Sequence, residues 1–264
     1  MAMGTSKGYG LPTGGNWTPL KTEATKYANQ EGRGTVSPDN FLTHYLHAYG
    51  GSKALAQGRG MSDRGKTGGA KSSGGASRGH GGGAARTSGR NFGGFLSTVS
   101  SRGLDEALRE VGLENAIGKP PDQVAASLLD VLASPGSTLD EHAARLALAK
   151  VNDELLKNAK SYEDVATLFT KALDDMGLVR ILASFFARYL FECFCRDFYE
   201  TWVKKVGAKK AGRSLKSIKD FIGSRLKAKL AGRDVAKIDW RGREGLRITE
   251  QVMQDTLEIY EVTA

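Results

Sequence analysis

The sequence predicts an all-α protein, an irregular helical bundle with a long flexible Gly/Ser/Arg-rich N-terminal region. Three observations carry this. Apolar residues recur at three- and four-residue spacing over 18–50 and through most of 92–264. Helix-start signatures punctuate those stripes: Ser37-Pro38-Asp39, Ser137-Thr138 before Asp140-Glu141, and Ser161 before Glu163-Asp164. One run, about 178–206, is apolar nearly all round, the pattern of a helix enclosed by its domain.

The chain divides into an arm (1–17), a short helical pair (18–50), a basic linker (51–91) and a helical domain (92–264). In the pair, Thr18-Pro19 opens a helix with Leu20, Ala24, Tyr27 and Ala28 on one face, and Gly32 and Gly34 end it. The next helix starts at Pro38, carries Phe41, Leu42, Tyr45, Leu46 and Tyr49, and stops at Gly50-Gly51. Two such helices are too few to stand alone and should dock on the later body. Residues 51–91 hold glycine, serine, lysine and arginine with almost no large apolar side chain. Such a segment cannot offset its ordering entropy by burial, so disorder is expected.

The helical domain opens near Asn91 with Phe92, Phe95, Leu96 and Val99, interrupted at Gly103. A turn or two follows over Leu104–Val111. Pro120-Pro121-Asp122 then starts a helix carrying Val124, Leu128, Leu129, Val131 and Leu132, closed by Ser134-Pro135-Gly136. The capped helices after Thr138 and Ser161 come next, and Gly177 separates them from the apolar run. Arg180, Arg188, Glu192, Arg196 and Asp197 punctuate that run; Arg188, Glu192 and Arg196 lie at i,i+4, so the spacing predicts an ion-pair ladder along one partly exposed side, with a buried polar site as the alternative reading of the charged line. Cys193 and Cys195, two apart on a helix, diverge and do not form a joint metal site. Ser214–Leu230 reads as a basic amphipathic helix. The last helix, near Ile248–Tyr260, is acidic and is positioned to pack against it.

Composition narrows the function classes. A net charge of +9 and a pI near 9.5 favour polyanionic partners. Two cysteines within one apolar segment are no disulfide framework and suit a reducing compartment, so a cytoplasmic protein is expected. No uncharged apolar run is long enough for a membrane span.

No catalytic constellation is legible. His44 and His47 share a helical face near Asp39, but no third ligand can be identified. Gly60–Thr67 matches the phosphate-loop pattern through Lys66. It lacks the preceding strand and following helix that would cradle a phosphate, so a nucleotide-dependent enzyme is the weakest reading. The expectation is a non-enzyme with no cofactor or metal.

The opening residues are the stretch that no structural use explains. Met3-Gly4-Thr5-Ser6-Lys7-Gly8-Tyr9-Gly10, followed by Gly14-Gly15, has too much glycine for a helix and no alternation for a strand. It lacks the apolar run of a signal peptide. If translation starts at Met3 and that methionine is removed, Gly4 becomes a terminal amine with no side chain to shield it. Met1-Ala2 stand ahead of this motif. Gly4-Thr5-Ser6, Tyr9-Gly10 and Gly14-Gly15, before a Gly/Ser/Arg tract and a helical remainder, resemble the QatB family of the four-gene Qat anti-phage defence systems of bacteria. The resemblance implies three companions: an ATPase, a QueC-like protein and a TatD-like nuclease. The QueC-like member implies that a 7-deazapurine group is attached to Gly4, with Thr5, Ser6, Tyr9 and Gly10 forming the recognition motif. The chain would then be an adaptor or a modification substrate.

The rival reading is sequence-independent nucleic-acid binding through the basic 51–91 and 204–247 regions, or the binding of an acidic protein or membrane face by the same residues. Its candidate contacts are Lys204, Lys205, Lys209, Lys210, Arg213, Lys216, Lys219, Arg225, Lys227 and Lys229. An ordinary solvated helix face is the bland alternative.

Overall fold

A computed structural model describes residues 16–57, 81–229, 240 and 242–261. Among these residues there are eleven α-helices, one 3-10 turn and no strand. The helices are α1 (Trp17–Asn29), α2 (Pro38–Ala48), α3 (Ser52–Ala56), α4 (Gly83–Arg102), α5 (Leu104–Glu110), α6 (Pro121–Leu132), α7 (Leu139–Leu155), α8 (Tyr162–Met176), α9 (Leu178–Val206), α10 (Ala208–Lys229) and α11 (Arg243–Glu258).

The predicted start signals act as caps. Ser37 Oγ accepts from the Asn40 amide at 3.1 Å, and Thr138 and Ser161 form reciprocal capping boxes with Glu141 and Asp164. Each satisfies backbone donors that a helix start leaves unpaired.

α9 is the axis of the bundle. Its 29 residues extend about 43 Å at 1.5 Å per residue. α1, α4, α7, α8, α10 and α11 all pack on it. That is why its apolar residues run round the cylinder: Leu182, Phe185, Phe186, Phe194, Phe198 and Trp202 are all buried, facing different neighbours. The α1–α2 pair docks on the C-terminal half, as its size required. There Phe41 meets Phe194 edge-on at 5.3 Å, Tyr27 stacks on Trp202 at 5.9 Å, and Tyr45 meets Phe194 at 5.2 Å. Aromatic side chains bury the most area per residue, so this cluster is the chief bond between the N-terminal pair and the body.

The structure departs from the sequence reading in four places. The tract expected to be disordered is helical at both edges, in α3 and in the first nine residues of α4; its middle, 58–80, lies outside the described residues. Two glycines of α4, one inside the tract and one just beyond it, are contact points. A Cβ on Gly89 would stand 2.7 Å from the Phe186 ring, and one on Gly93 would stand 2.5 Å from Trp240. Helix glycine here admits two large rings at close range.

The charged line of α9 is not a ladder. Arg188 pairs with Glu154 and Glu192 with Lys150, both across to α7, while Arg196 turns to Asp197 at 2.7 Å. Carboxylate and ammonium groups on the adjoining helix compete with the i,i+4 partners and win. α10 begins at Ala208, earlier than expected, directly after the positive-φ Gly207. The acidic α11 packs chiefly on α3, α4 and α9, with Glu250 paired to Arg86 at 2.7 Å, and it is Tyr260, just past its end, that reaches α10, donating to the Ile222 carbonyl at 3.0 Å.

One core position works against stability. Asn152 in α7 is 2 % exposed, and neither Nδ2 nor Oδ1 has a hydrogen-bond partner. A buried, unpaired polar group costs about 1–3 kcal/mol. Asn152→Leu should therefore stabilise the protein by about 1 kcal/mol or more, raising the melting temperature by a few degrees. A lower melting temperature would mean that the amide is satisfied in solution.

Candidate functional site

The description of the chain starts at Asn16, so Gly4, Thr5, Ser6, Tyr9 and Gly10 lie outside the described residues. What the structure does show is the root from which that segment departs. Trp17 opens α1 and is buried, with its ring edge-on to Tyr49 at 5.1 Å and to Tyr45 at 6.3 Å. Asn16 Nδ2 reaches the His47 carbonyl at 3.5 Å.

Beneath Trp17 lies a buried polar network. Asp197 Oδ2 accepts from the Tyr45 hydroxyl at 2.7 Å and from the Tyr49 hydroxyl at 2.5 Å. Arg196 Nε donates to Asp197 Oδ1 at 2.7 Å, and its terminal nitrogen also reaches the Tyr49 hydroxyl. Burial, and then the Asp197 charge, push both tyrosine hydroxyls well above their ordinary range, so they remain neutral donors. Every polar group in the network has a partner, the condition under which it rigidifies its surroundings.

The flanks of 58–80 and 262–264 meet at the same place. A Cβ on Gly81 would lie 3.5 Å from the Tyr49 ring, and one on Gly82 would lie 1.8 Å from the Leu55 carbonyl oxygen. The chain therefore leaves after Gln57 and returns at Gly81 to nearly the same point. Arg86 bridges the gap by donating to the Gln57 carbonyl at 2.9 Å. The return is pinned from α7 and α9: the Gly82 amide donates to the Tyr189 hydroxyl at 2.7 Å, and the Ala84 amide to Asp140 at 3.0 Å. At the C-terminal side, Glu261 accepts from the Ser52 amide at 2.8 Å and lies 4.0 Å from His47. The roots of 1–15, 58–80 and 262–264 thus share one end of the bundle, around Tyr49.

The other sequence candidates are dispersed. His44 pairs with Glu23 at 2.6 Å and His47 faces Glu261, both exposed on α2. No group of three metal-capable side chains occurs among the described residues. Burial pushes the Cys193 and Cys195 thiols up to about 12, so neither is an activated nucleophile near neutral pH. The phosphate-loop match at Gly60–Thr67 lies outside the described residues. No described helix is long and apolar enough to cross a membrane.

The basic candidates split. Arg213 pairs with Glu31 at 2.8 Å, Lys216 with Asp220 at 3.2 Å, and Arg225 with Asp39 at 2.6 Å, so these three are occupied within the fold. Lys204, Lys205, Lys209, Lys210 and Lys219 are exposed and have no carboxylate partner among the described residues. The side chains of Lys227 and Lys229 lie outside the described part of α10. Sequence reasoning missed Trp17 and ranked a buried polar site at Arg196 and Asp197 below an ion-pair ladder. Its one available signal was the pair of adjacent opposite charges inside an otherwise apolar helix.

A search of curated proteins and a search of solved structures gave no match. A protein-family model described as Qat anti-phage system associated protein QatB matches residues 68–260, from the glycine-rich tract through the end of the bundle. The matched stretch contains α4 to α11 and α9 at its axis, so the assignment rests on the helical body and is independent of the opening glycine motif. The chain belongs to the QatB family and is a component of a Qat anti-phage system.

Proposed function

We propose that this chain is a non-enzymatic, cytoplasmic adaptor of its defence system, and that its N-terminal glycine, Gly4, is the substrate of a QueC-like partner. An ATPase and a TatD-like nuclease of the same system complete the set of partners. The observation that supports the reading is the seating of Trp17, at the start of α1, on the rings of Tyr45 and Tyr49, whose hydroxyls Asp197 holds. A modifying pocket needs an amine that can enter it and a body that does not follow. The twelve residues from Thr5 to Asn16 span at most about 40 Å, so Gly4 can reach a partner seated beside the α1–α2 face. Thr5, Ser6, Tyr9 and Gly10 would be read by that partner.

Co-expression with the neighbouring genes followed by intact-mass analysis tests this. The expected result is an added mass on the peptide beginning at Gly4, lost in Gly4→Val and in the absence of the QueC-like gene. An unshifted peptide in the complete system overturns the modification reading and leaves family membership intact.

A further inference from the structure

From Ile181 to Cys195 every residue of α9 is buried except Ser184, Arg188, Phe191 and Cys195, which are partly exposed. Their four-three-four spacing is that of a coiled-coil a/d seam, the line along which one helix receives another. Ser184, Arg188 and Phe191 line a groove of about 930 Å3 whose other walls are α7, α8 and α10. α8 and α10 both pack on α9 but scarcely on each other, so the space over the seam is left uncovered. Its lining includes Leu155 of α7, Leu168 and Met176 of α8, and Ile222 of α10, and Met176 is 40 % exposed. Single apolar side chains on a surface are ordinary, whereas a contiguous apolar trough marks an interaction site. From Ile181 to Glu192 the groove follows α9 for about 17 Å at 1.5 Å per residue, or three helical turns. Most charges of the lining are settled within the fold: Arg188 pairs with Glu154, Lys150 with Glu192, and Asp220 with Lys216. Lys171 on α8 and Lys219 on α10 are exposed and have no carboxylate partner among the described residues, and Asp175, one turn from Lys171, is the acid that stands against them.

We propose that this groove is the docking surface for an amphipathic helix of a partner protein, apolar along its own seam and acidic on its flanks. The a/d spacing on α9 calls for a helix, because only a helix presents knobs at the matching period. Arg188, held by Glu154, stands at one seam position, where a polar side chain specifies register. Acidic flanks answer the surplus of unpaired lysine on the walls and the net charge of +9 on the whole chain. Apolar burial carries the affinity of such a contact, and the charges select the partner and steer its approach. No residue of α1 or α2 lines the groove among the described residues, and the inference does not rest on modification of Gly4.

The probe is a fluorescently labelled peptide of about 18 residues, long enough to hold a helix, with leucine at a and d and glutamate at e and g. Its anisotropy is titrated with the full chain. Saturable binding is expected, and weaker binding of the same peptide with lysine at e and g. Gly223 lines the groove, and a Cβ there meets nothing within 4 Å, so Gly223→Phe fills the space without a backbone collision. It should weaken binding about tenfold, as overpacking a fitted surface does. Gly212→Phe is the control: it lies on the same helix with open space at its Cβ, outside the groove, and should bind as the parent chain does. Lys219→Glu should weaken the glutamate peptide about threefold, the scale of an exposed ion pair, and strengthen the lysine peptide. No saturable binding, equal losses from the two glycine variants, or equal binding of the two peptides would overturn the proposal. A dimer of the full chain that Gly223→Phe dissociates would assign the groove to a second copy and overturn it as well. Peptide binding that appears only after deletion of 231–238 would assign the groove to this chain's own segment, with the same consequence.

Discussion

Asp197→Ala is expected to destabilise the protein by about 3–5 kcal/mol, read as a lower urea midpoint. The carboxylate is 10 % exposed and is the acceptor shared by Tyr45, Tyr49 and Arg196. Its removal leaves the Arg196 guanidinium without its counter-charge and the two hydroxyls without their shared acceptor, and the largely buried, uncompensated charge is the costly part. Tyr49→Phe should cost less, about 1 kcal/mol, because it removes one donor and leaves the ion pair intact. The loss should also reach the arm root, because Trp17 rests on the rings that Asp197 orients. Protease cleavage in α1 should then precede global unfolding. A cost below about 1 kcal/mol would show that water takes over the role of Asp197 and that the network does not fix Trp17.

The second large effect is expected at Gly82, with its neighbour as control. Gly82 has φ of +99° and caps α4 at the point where α3 and α4 meet. An alanine there would carry a Cβ 1.8 Å from the Leu55 carbonyl oxygen, a backbone atom that no side-chain rotation can move. The left-handed conformation alone costs a side-chain residue about 1–3 kcal/mol, and the collision adds to it. Gly83→Ala meets nothing within 4 Å and lies inside the helix, so it should be neutral or stabilise by up to about 1 kcal/mol. Equal melting temperatures for the two variants would refute the close approach of the segment ends at 57 and 81.

These two sites mark where sequence reading stopped. The helix starts at Ser37, Thr138 and Ser161, and the span of α9, were legible because capping and periodicity are local: the residues that decide them lie within one or two turns. α3 and the first half of α4 were not. Ala85, Ser88 and Gly89 carry almost no apolar signal, yet all three are buried, and Phe186, roughly 100 residues further along, packs against Gly89. The arm motif was legible as an anomaly, whereas its anchor was hidden in two adjacent charges of α9.

The sequence by itself determined an all-α bundle arranged about one nearly all-apolar helix, along with most helix boundaries and the resemblance to the QatB family that the family match over 68–260 establishes. Tertiary structure alone decided which charges pair, which glycines are contact surfaces, and that the roots of three segments gather around Tyr49. The reason is physical. Periodicity records which face of a helix avoids water, but the partner of a buried charge or the ring that fills a glycine notch is set by a second segment distant in sequence. Neither segment carries the other's address.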